Sequence, residues 1–472
     1  MKLYCQHTAL HRDGKLELHP TLIEIEKHKI KKVTLWDRPL NELPEKTSKL
    51  QNKMLTPAFI NMHTHLAMSF FRYQDISQTA SGNMVKDYYF QLEKKLSPED
   101  VRAFTRMGAY ESLCFGVGTV WDHYYHGESV AQALCDVGLT GVVAPTLQDL
   151  EGPAKDVWER EWSHTESIRQ SKTFKENHVH AALGPHATDT VSSQLWEKIQ
   201  KMSSDENIPI HFHLAQSQDE FYKRLSMENL TPTEFLLHKG LFDTKNSLIM
   251  AHGIYLRESD LKILSQHRNS HLVYCPFSQM IFEFPASVLQ WEEHGLNWLI
   301  GTDTVGSNDS MNIQKELRAI SGTPMQKLTF SETYKQFMAY PFKQQSLEEL
   351  SSERHLLFQS TQKFRDPSFL LSKVWHQAGQ RHPHLKTGSI EENYLANFIV
   401  WDLEHPTFWP SQTLRGLCFN DSHSAIYNML IAGKWVSEDG SFLEGLRNSP
   451  PYLEALKEAK GRLKKLMPSA KS

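Results

Sequence analysis

At 472 residues the chain is longer than one hydrophobic core usually serves, and its length corresponds to about three folding units of average size. Apolar residues make up 40% and charged residues 22%, the balance of a soluble globular protein. No run of apolar residues is long enough to cross a bilayer. A formal net charge of −4 excludes a broad basic surface for nucleic acid or anionic membrane, so a small-molecule substrate is the expected partner. The basic tail KEAKGRLKKLMPSAKS reads as a solvated terminus.

The chain begins with short β-rich stretches broken by turns: LYCQHTAL, KLELHPTLIEIE and IKKVTLW. From residue 56 to 385 the pattern changes to short apolar runs, each followed by a helical period, which calls for a parallel sheet. Eight strands are expected, at 57–63, 118–124, 140–146, 179–186, 208–214, 247–253, 271–277 and 297–303. Between them PEDVRAFTRMGAYESLCF, SSQLWEKIQKM, TPTEFLLHKGLF, SDLKILSQ and ASVLQWEEH read as helices. Beyond 385, NYLANFIVWDL and SAIYNMLIAGKWVSEDGSF return to strand and hairpin, and PYLEALKEAKGRLKKLM is an amphipathic helix. This predicts an α/β chain. A (β/α)8 barrel spans 56–385, and a small β-sandwich domain is assembled from residues 1–55 and 386–472.

The five cysteines, Cys5, Cys114, Cys135, Cys275 and Cys418, form no C-x-x-C pair. This argues against a disulfide framework or a thiolate zinc knuckle. Cys114 and Cys135 are expected to be buried fillers. With no apolar segment at the N-terminus, a cytoplasmic location is the expectation.

In a barrel of this kind the chemistry gathers at the C-terminal strand ends. Those ends carry His63 and His65, His213, His252 and Asp303. Histidine-x-histidine pairs also occur at His178/His180, His211/His213 and His382/His384, so placement decides which pair matters. Residues i and i+2 of a strand share a face, and His63 with His65 can therefore grip one ion. His63, His65, His213 and Asp303 are the expected ligands of one divalent metal ion, Zn²⁺ with Fe²⁺ as the alternative. Such a set leaves room for an activated water, whose proton Asp303 would take. His252 is either a fifth ligand or the group that orients the water and polarises the electrophile. His211, on the same face as His213, reads as a core histidine. No lysine lies in the fourth strand to bridge a second metal.

At these residues the sequence resembles the amidohydrolase superfamily, in the branch of chlorohydrolases, guanine deaminase and the deaminases of S-adenosylhomocysteine and methylthioadenosine. The likeness runs through PAFINMHTHLAMSFFR, YYFQLEKKLSPEDV, GPHATDTVS, IPIHFHLAQSQDE, MAHGIYL, CPFSQ, GTDTVGSNDSMNIQKELR and the return segments KTGSIEENYLANFIVWDL and IAGKWVSEDG. The resemblance implies a single-metal site at His63, His65, His213 and Asp303, with His252 assisting the water. It also implies substrate contacts from Arg72, Glu93 and His186, and a homodimer.

One position departs from the family. Its strand-five glutamate, which shuttles a proton to the leaving group, is replaced here by Gln216, an amide that does not ionise. Positioned proton transfer is typically worth about 10²–10⁴-fold, so another group must substitute or the chemistry must differ. Asp219, Glu220, Asp122 and His123 are the nearby candidates, with an acidic first helical turn the plain reading of Asp219 and Glu220. Phe70, Phe71, Tyr73, Tyr88, Tyr89, Phe90, Trp121, Tyr124 and Tyr125 crowd the expected mouth. Some of them are available to stack on a flat heterocycle.

The reading that follows is hydrolytic deamination of a nitrogen heterocycle or amidine by a metal-activated water, with Asp303, His252 and Gln216 at the reacting centre. Hydrolysis of another amide, imine or carbon–halogen bond is the second reading. The third is a metal-binding barrel that has lost catalysis through Gln216.

Overall fold

The computed structural model describes residues 1–12, 14–72, 83–410, 414–437 and 441–467. Two parallel arcs form the central sheet. The first runs through Phe59–Thr64, Val117–Tyr124, Thr140–Leu147 and a strand broken into Val179–Ala181 and Gly184–Pro185. The second runs through Ile210–Leu214, Leu248–His252, Ser270–Tyr274 and Asn297–Ile300. Single bridges join the arcs at both seams, Leu183 to Ile210 and Thr64 to Asp303. The result is a closed eight-stranded barrel, and each expected strand is found within a few residues of its place.

Helices flank the strands where the 3.6-residue period places them. Pro98–Cys114 starts in a capping box, Ser97 with Asp100, and Pro232–His238 in another, Thr231 with Glu234; both satisfy backbone donors that a helix start leaves bare. The barrel interior is an apolar cluster of its own, including Ile60, Trp121, Val142, Ile249, Val273 and Leu299. A larger core fills the space between strands and helices. Inward-facing residues thus stack from an apolar floor up to polar strand ends.

Both termini contribute to one seven-stranded sheet. Lys2–Arg12, Lys15–Glu26, Lys29–Leu35 and Thr47–Pro57 come from the start, and Phe398–Asp402, Ile426–Ile431 and Lys434–Trp435 from the end. Thr47–Pro57 leads directly into the first barrel strand, which explains why that strand starts at Phe59 rather than at 57. The C-terminal helix Pro450–Leu466 leaves this sheet and packs on Pro98–Cys114, where Arg462 meets Asp100 at 3.0 Å and Tyr110 meets Tyr452 edge-on. Cys5, Cys275 and Cys418 are buried, whereas Cys114 and Cys135, expected to be buried, are only half-buried on their helices. Among the described residues no helix is long and apolar enough to cross a membrane.

Closure of the barrel depends on a close backbone approach at Gly301. A Cβ there would lie 2.8 Å from both the backbone N and O of His63, atoms that cannot yield without moving the first strand. Gly301→Ala is expected to lower unfolding free energy by about 1–3 kcal/mol, measured by urea denaturation. An unchanged midpoint would show that the seam is looser than this packing implies.

Candidate active site

Five side chains from four strand ends converge above the apolar floor. His63 and His65 come from the first strand, where one extra residue between Asn61 and Thr64 relative to the second strand makes a bulge. A bulge re-aims the side chains that follow it. His63 thereby turns inward although Ile60 and Met62 already face the interior. His213 and His252 end the fifth and sixth strands, and Asp303 follows the eighth. Ala215, His252 and Asp303 hold φ of 48°, 81° and 59°. Such left-handed backbone in residues other than glycine is a strain that clusters at functional sites.

Hydrogen bonds to the backbone orient the rings. The Nδ1 of His65 donates to the carbonyl of His123, and that of His213 to the carbonyl of His186 at 2.8 Å. With hydrogens fixed on Nδ1, both rings aim Nε2 lone pairs inward. These two atoms stand 3.4 Å apart, and the His65 Nε2 is 3.3 Å from Asp303 Oδ1. His63 holds its Nδ1 2.9 Å from the Nε2 of His211, leaving its own Nε2 3.5 Å from Asp303 Oδ1. His252 stacks on His213 at 5.4 Å between ring centroids, and neither of its nitrogens has a hydrogen-bond partner among the described residues. Ser278 donates to the other Asp303 oxygen at 2.5 Å.

Facing lone pairs and a buried carboxylate repel one another unless a cation lies between them. A proton is one such cation: burial opposes it, but Asp303 outweighs burial and raises the pKa of His65. A divalent metal ion is the other, and the donor set suits it. The liganding atoms of His63, His65 and Asp303 lie within 4.8 Å of one another, as do those of His63, His213 and His252. Nitrogen and oxygen donors on a buried, pre-oriented cluster are those a borderline ion such as Zn²⁺ takes. Burial acts against ionisation of Asp303, yet the His63 and His65 imidazoles hold its carboxyl well below the usual range. Burial lowers His186 and His252 to about 3, keeping both neutral.

A cavity opens above this cluster. His65, His213 and Asp303 form its base, and Met68, Met84, Val85, Tyr89, Phe90 and Phe282 much of its wall. Glu93, His186 and Gln216 also line it, as do His123, Tyr124, Tyr125 and Thr146. Burial pushes the Glu93 carboxyl up to about 7. Of the expected aromatics, Tyr89, Phe90, Tyr124 and Tyr125 face this space. Phe70, Phe71 and Trp121 are buried in the cores, Tyr88 packs on the Phe71 and Tyr89 rings, and Tyr73 lies outside the described residues.

Arg72 lies apart from this cavity in the structure. Expected as a substrate contact, it pairs with Glu111 on the helix Pro98–Cys114 and lines a different cavity, with Ser69, Phe70 and Phe104. His211, expected as a core residue, is buried but also braces His63. That contact was legible only as a shared face with His213.

The matching family model is that of the amidohydrolase family, and it covers residues 54–339. The chain belongs to the amidohydrolase family. It is accordingly a hydrolase acting on carbon–nitrogen bonds. A 5′-deoxyadenosine deaminase of Methanococcus vannielii is 26% identical over 413 residues, covering 86% of this chain and 88% of that relative. Among solved structures, a zinc-bound adenosine deaminase from Xanthomonas campestris superposes with a TM-score of 0.76 at 18% identity, covering 98% of both chains. A zinc complex of atrazine chlorohydrolase from Arthrobacter aurescens gives 0.74 at 17% identity, covering 98% of this chain and 99% of that one. These two likenesses establish the barrel and its attached sheet as a shared fold.

Ser278 touches no metal-facing nitrogen, yet it fixes one oxygen of Asp303. Partners of this kind typically change metal affinity by about 10–100-fold when lost. Ser278→Ala is therefore expected to weaken Zn²⁺ binding by about that factor, read by competition with a chromophoric chelator. Affinity equal to the unsubstituted protein would mean that the Asp303 carboxylate is held by its backbone alone.

Proposed function

We propose that this chain hydrolytically deaminates a neutral nitrogen heterocycle or amidine. The observation that carries this reading is the convergence of His63, His65, His213, His252 and Asp303 next to an aromatic-walled cavity whose base is formed by His65, His213 and Asp303. His63, His65, His213 and Asp303 would hold one divalent ion, Zn²⁺ with Fe²⁺ as the alternative. When bound, such an ion lowers the pKa of water enough to supply a nucleophile near neutral pH.

The protein's own groups do the rest. Tyr89, Phe90, Tyr124 and Tyr125 offer ring faces and edges to a flat substrate, and apolar neighbours keep bulk water from the reacting carbon. Glu93 accepts hydrogen bonds from substrate N–H or O–H groups, and His186 contacts the ring as a neutral imidazole. Asp303, steadied by Ser278, takes the proton released as water adds to the sp² carbon. His252, neutral and with both nitrogens free of other partners, hydrogen-bonds the oxygen of the tetrahedral centre. Gln216 orients the substrate through its amide and cannot carry a proton, so the proton Asp303 takes from the water is the one it hands to the departing nitrogen, which leaves as ammonia. Names borne by relatives suggest the substrate class to try first: adenine nucleosides modified at the 5′ position.

A carbon–halogen bond is the second reading, and Gln216 is what favours it. Halide leaves without being protonated, so a site lacking the acid at this position loses less with such a substrate.

Zinc-loaded protein is expected to release ammonia from at least one member of a panel of 5′-deoxyadenosine, 5′-methylthioadenosine, S-adenosylhomocysteine, guanine and an aminotriazine. Chelation or Asp303→Asn should reduce that rate by at least about 10³-fold, the scale of losing a proton acceptor together with a ligand. Release of chloride from a chlorotriazine without ammonia from the panel would replace the first reading by the second. Silence in both assays would sink both.

A further inference from the structure

His252 and Asp303 both have left-handed backbone, and one short helix, Pro276–Phe282, holds them both. Its Ser278 hydroxyl donates to Asp303 Oδ2 at 2.5 Å and lies 2.6 Å from the Ser307 hydroxyl. The next side chain, Gln279, donates its Nε2–H to the His252 carbonyl at 3.2 Å and accepts the Ala286 backbone N–H at 2.9 Å. Phe282, at the end of the helix, lines the cavity. One helix therefore joins the metal-facing cluster to the substrate wall.

The start of this helix lacks a cap of its own. Cys275 makes no side-chain cap hydrogen bond, and Pro276 has no N–H to give. The first backbone donor, the Phe277 N–H, reaches Glu316 Oε2 at 3.3 Å. The other oxygen of Glu316 accepts from Asn308 Nδ2 at 2.7 Å, and that same nitrogen donates to the Thr302 carbonyl at 2.7 Å. Asn308 closes the short turn Val305–Asn308, which carries Ser307. Glu316 itself comes from another helix, Ile313–Gly322, and is buried. A helix start with bare N–H groups favours an acceptor there, above all an acidic one. A buried carboxyl met by neutral donors stabilises less than an apolar side chain of similar size, so packing alone does not account for it.

We propose that Glu316 is a positioning residue of this site. It fixes the start of the helix Pro276–Phe282 and the turn that ends at Asn308, and so holds Ser278 and Ser307 together beside Asp303. The direction of the Asp303 carboxylate toward the metal is set through that pair of hydroxyls. This rests on reading the histidine and aspartate cluster as the metal site. Glu316 lies outside the cavity wall, so its effect on the site passes through Ser278.

The test measures Zn²⁺ affinity, by competition with a chromophoric chelator, for the unsubstituted protein, Ser278→Ala, Glu316→Gln and the double variant. Glu316→Gln keeps the size but turns one oxygen into an amide nitrogen that faces an N–H donor, which releases one of the two segments. It should weaken Zn²⁺ binding by about 10–100-fold. The double variant should stay within about 2–3-fold of Ser278→Ala alone, since both changes interrupt the same route. Affinity of Glu316→Gln equal to that of the unsubstituted protein overturns the proposal. So does a double variant whose loss is the product of the two single losses, the result of a general structural role. If Glu316→Gln does not fold, judged by circular dichroism, Asn308→Ala removes the shared amide from a half-buried position. It should cost about 3–10-fold in affinity, the worth of one hydrogen bond, and add little to Ser278→Ala; unchanged affinity overturns the proposal here too. Failure of the unsubstituted protein to bind Zn²⁺ would sink the metal-site reading and this inference with it. Tight binding that ignores Glu316 and Asn308 would sink this inference alone.

Discussion

The site depends on the seam where the last barrel strand meets the first. Asp303 donates its backbone N–H to the carbonyl of His63 at 3.0 Å, and Thr64 returns a hydroxyl to the Asp303 carbonyl at 3.1 Å. The Asn61 side chain reaches across to Thr302 through both its amide groups. Two residues 240 positions apart in sequence are thereby held by main-chain contacts, and their side chains meet without a flexible loop between them. A ligand cluster must be positioned within fractions of an ångström to bind one ion in one geometry. Here that precision comes from barrel closure itself, so stability and chemistry share the same few hydrogen bonds.

The same cluster illustrates how a low-dielectric floor is made to carry polarity. His65 and His213 each spend one nitrogen on a backbone carbonyl, His63 leans on His211, and Asp303 is shared with Ser278. Three of the four rings are given a direction by hydrogen bonds, and the fourth, His252, stacks on His213. Above the cluster the wall turns apolar, and the histidines that face the cavity, His123 and His186, are kept neutral by burial. Such a wall favours uncharged, flat ligands and lets a single carboxylate act with little competition from water.

Much of this arrangement was legible in the sequence because barrel strands are short apolar runs that end in a residue change. PAFINM followed by His63, MA followed by His252 and LIGT followed by Asp303 each place a polar group where the period ends. The helical cover was legible for the same reason, and the structure adds the caps at Ser97 and Thr231. What could not be read was anything decided by a partner distant in sequence. Arg72 reads as a substrate group, and its pairing with Glu111 has no mark in the sequence. Asp219 and Glu220 are adjacent, yet one faces solvent and the other is buried against Thr188. The bulge before His63 has no compositional mark, since a strand with one extra residue looks like any other strand.

The terminal sheet bears on the site through a buried polar side chain as well as through the strand Thr47–Pro57. Asn397 stands at the junction, and its amide donates to the Thr140 hydroxyl at 2.9 Å while its oxygen accepts from the Ala432 backbone N–H at 2.7 Å. Its own carbonyl receives the Ala58 N–H at 2.9 Å, one residue before the first barrel strand begins. The sheet therefore grips the entry to the strand that carries His63 and His65, and does so through fully satisfied polar contacts in a place with no water to replace them. A packing of apolar residues alone would allow the sheet to slide on the barrel. Hydrogen bonds to specific atoms of the second and third strands fix its register, and with it the height at which the first strand presents its histidines.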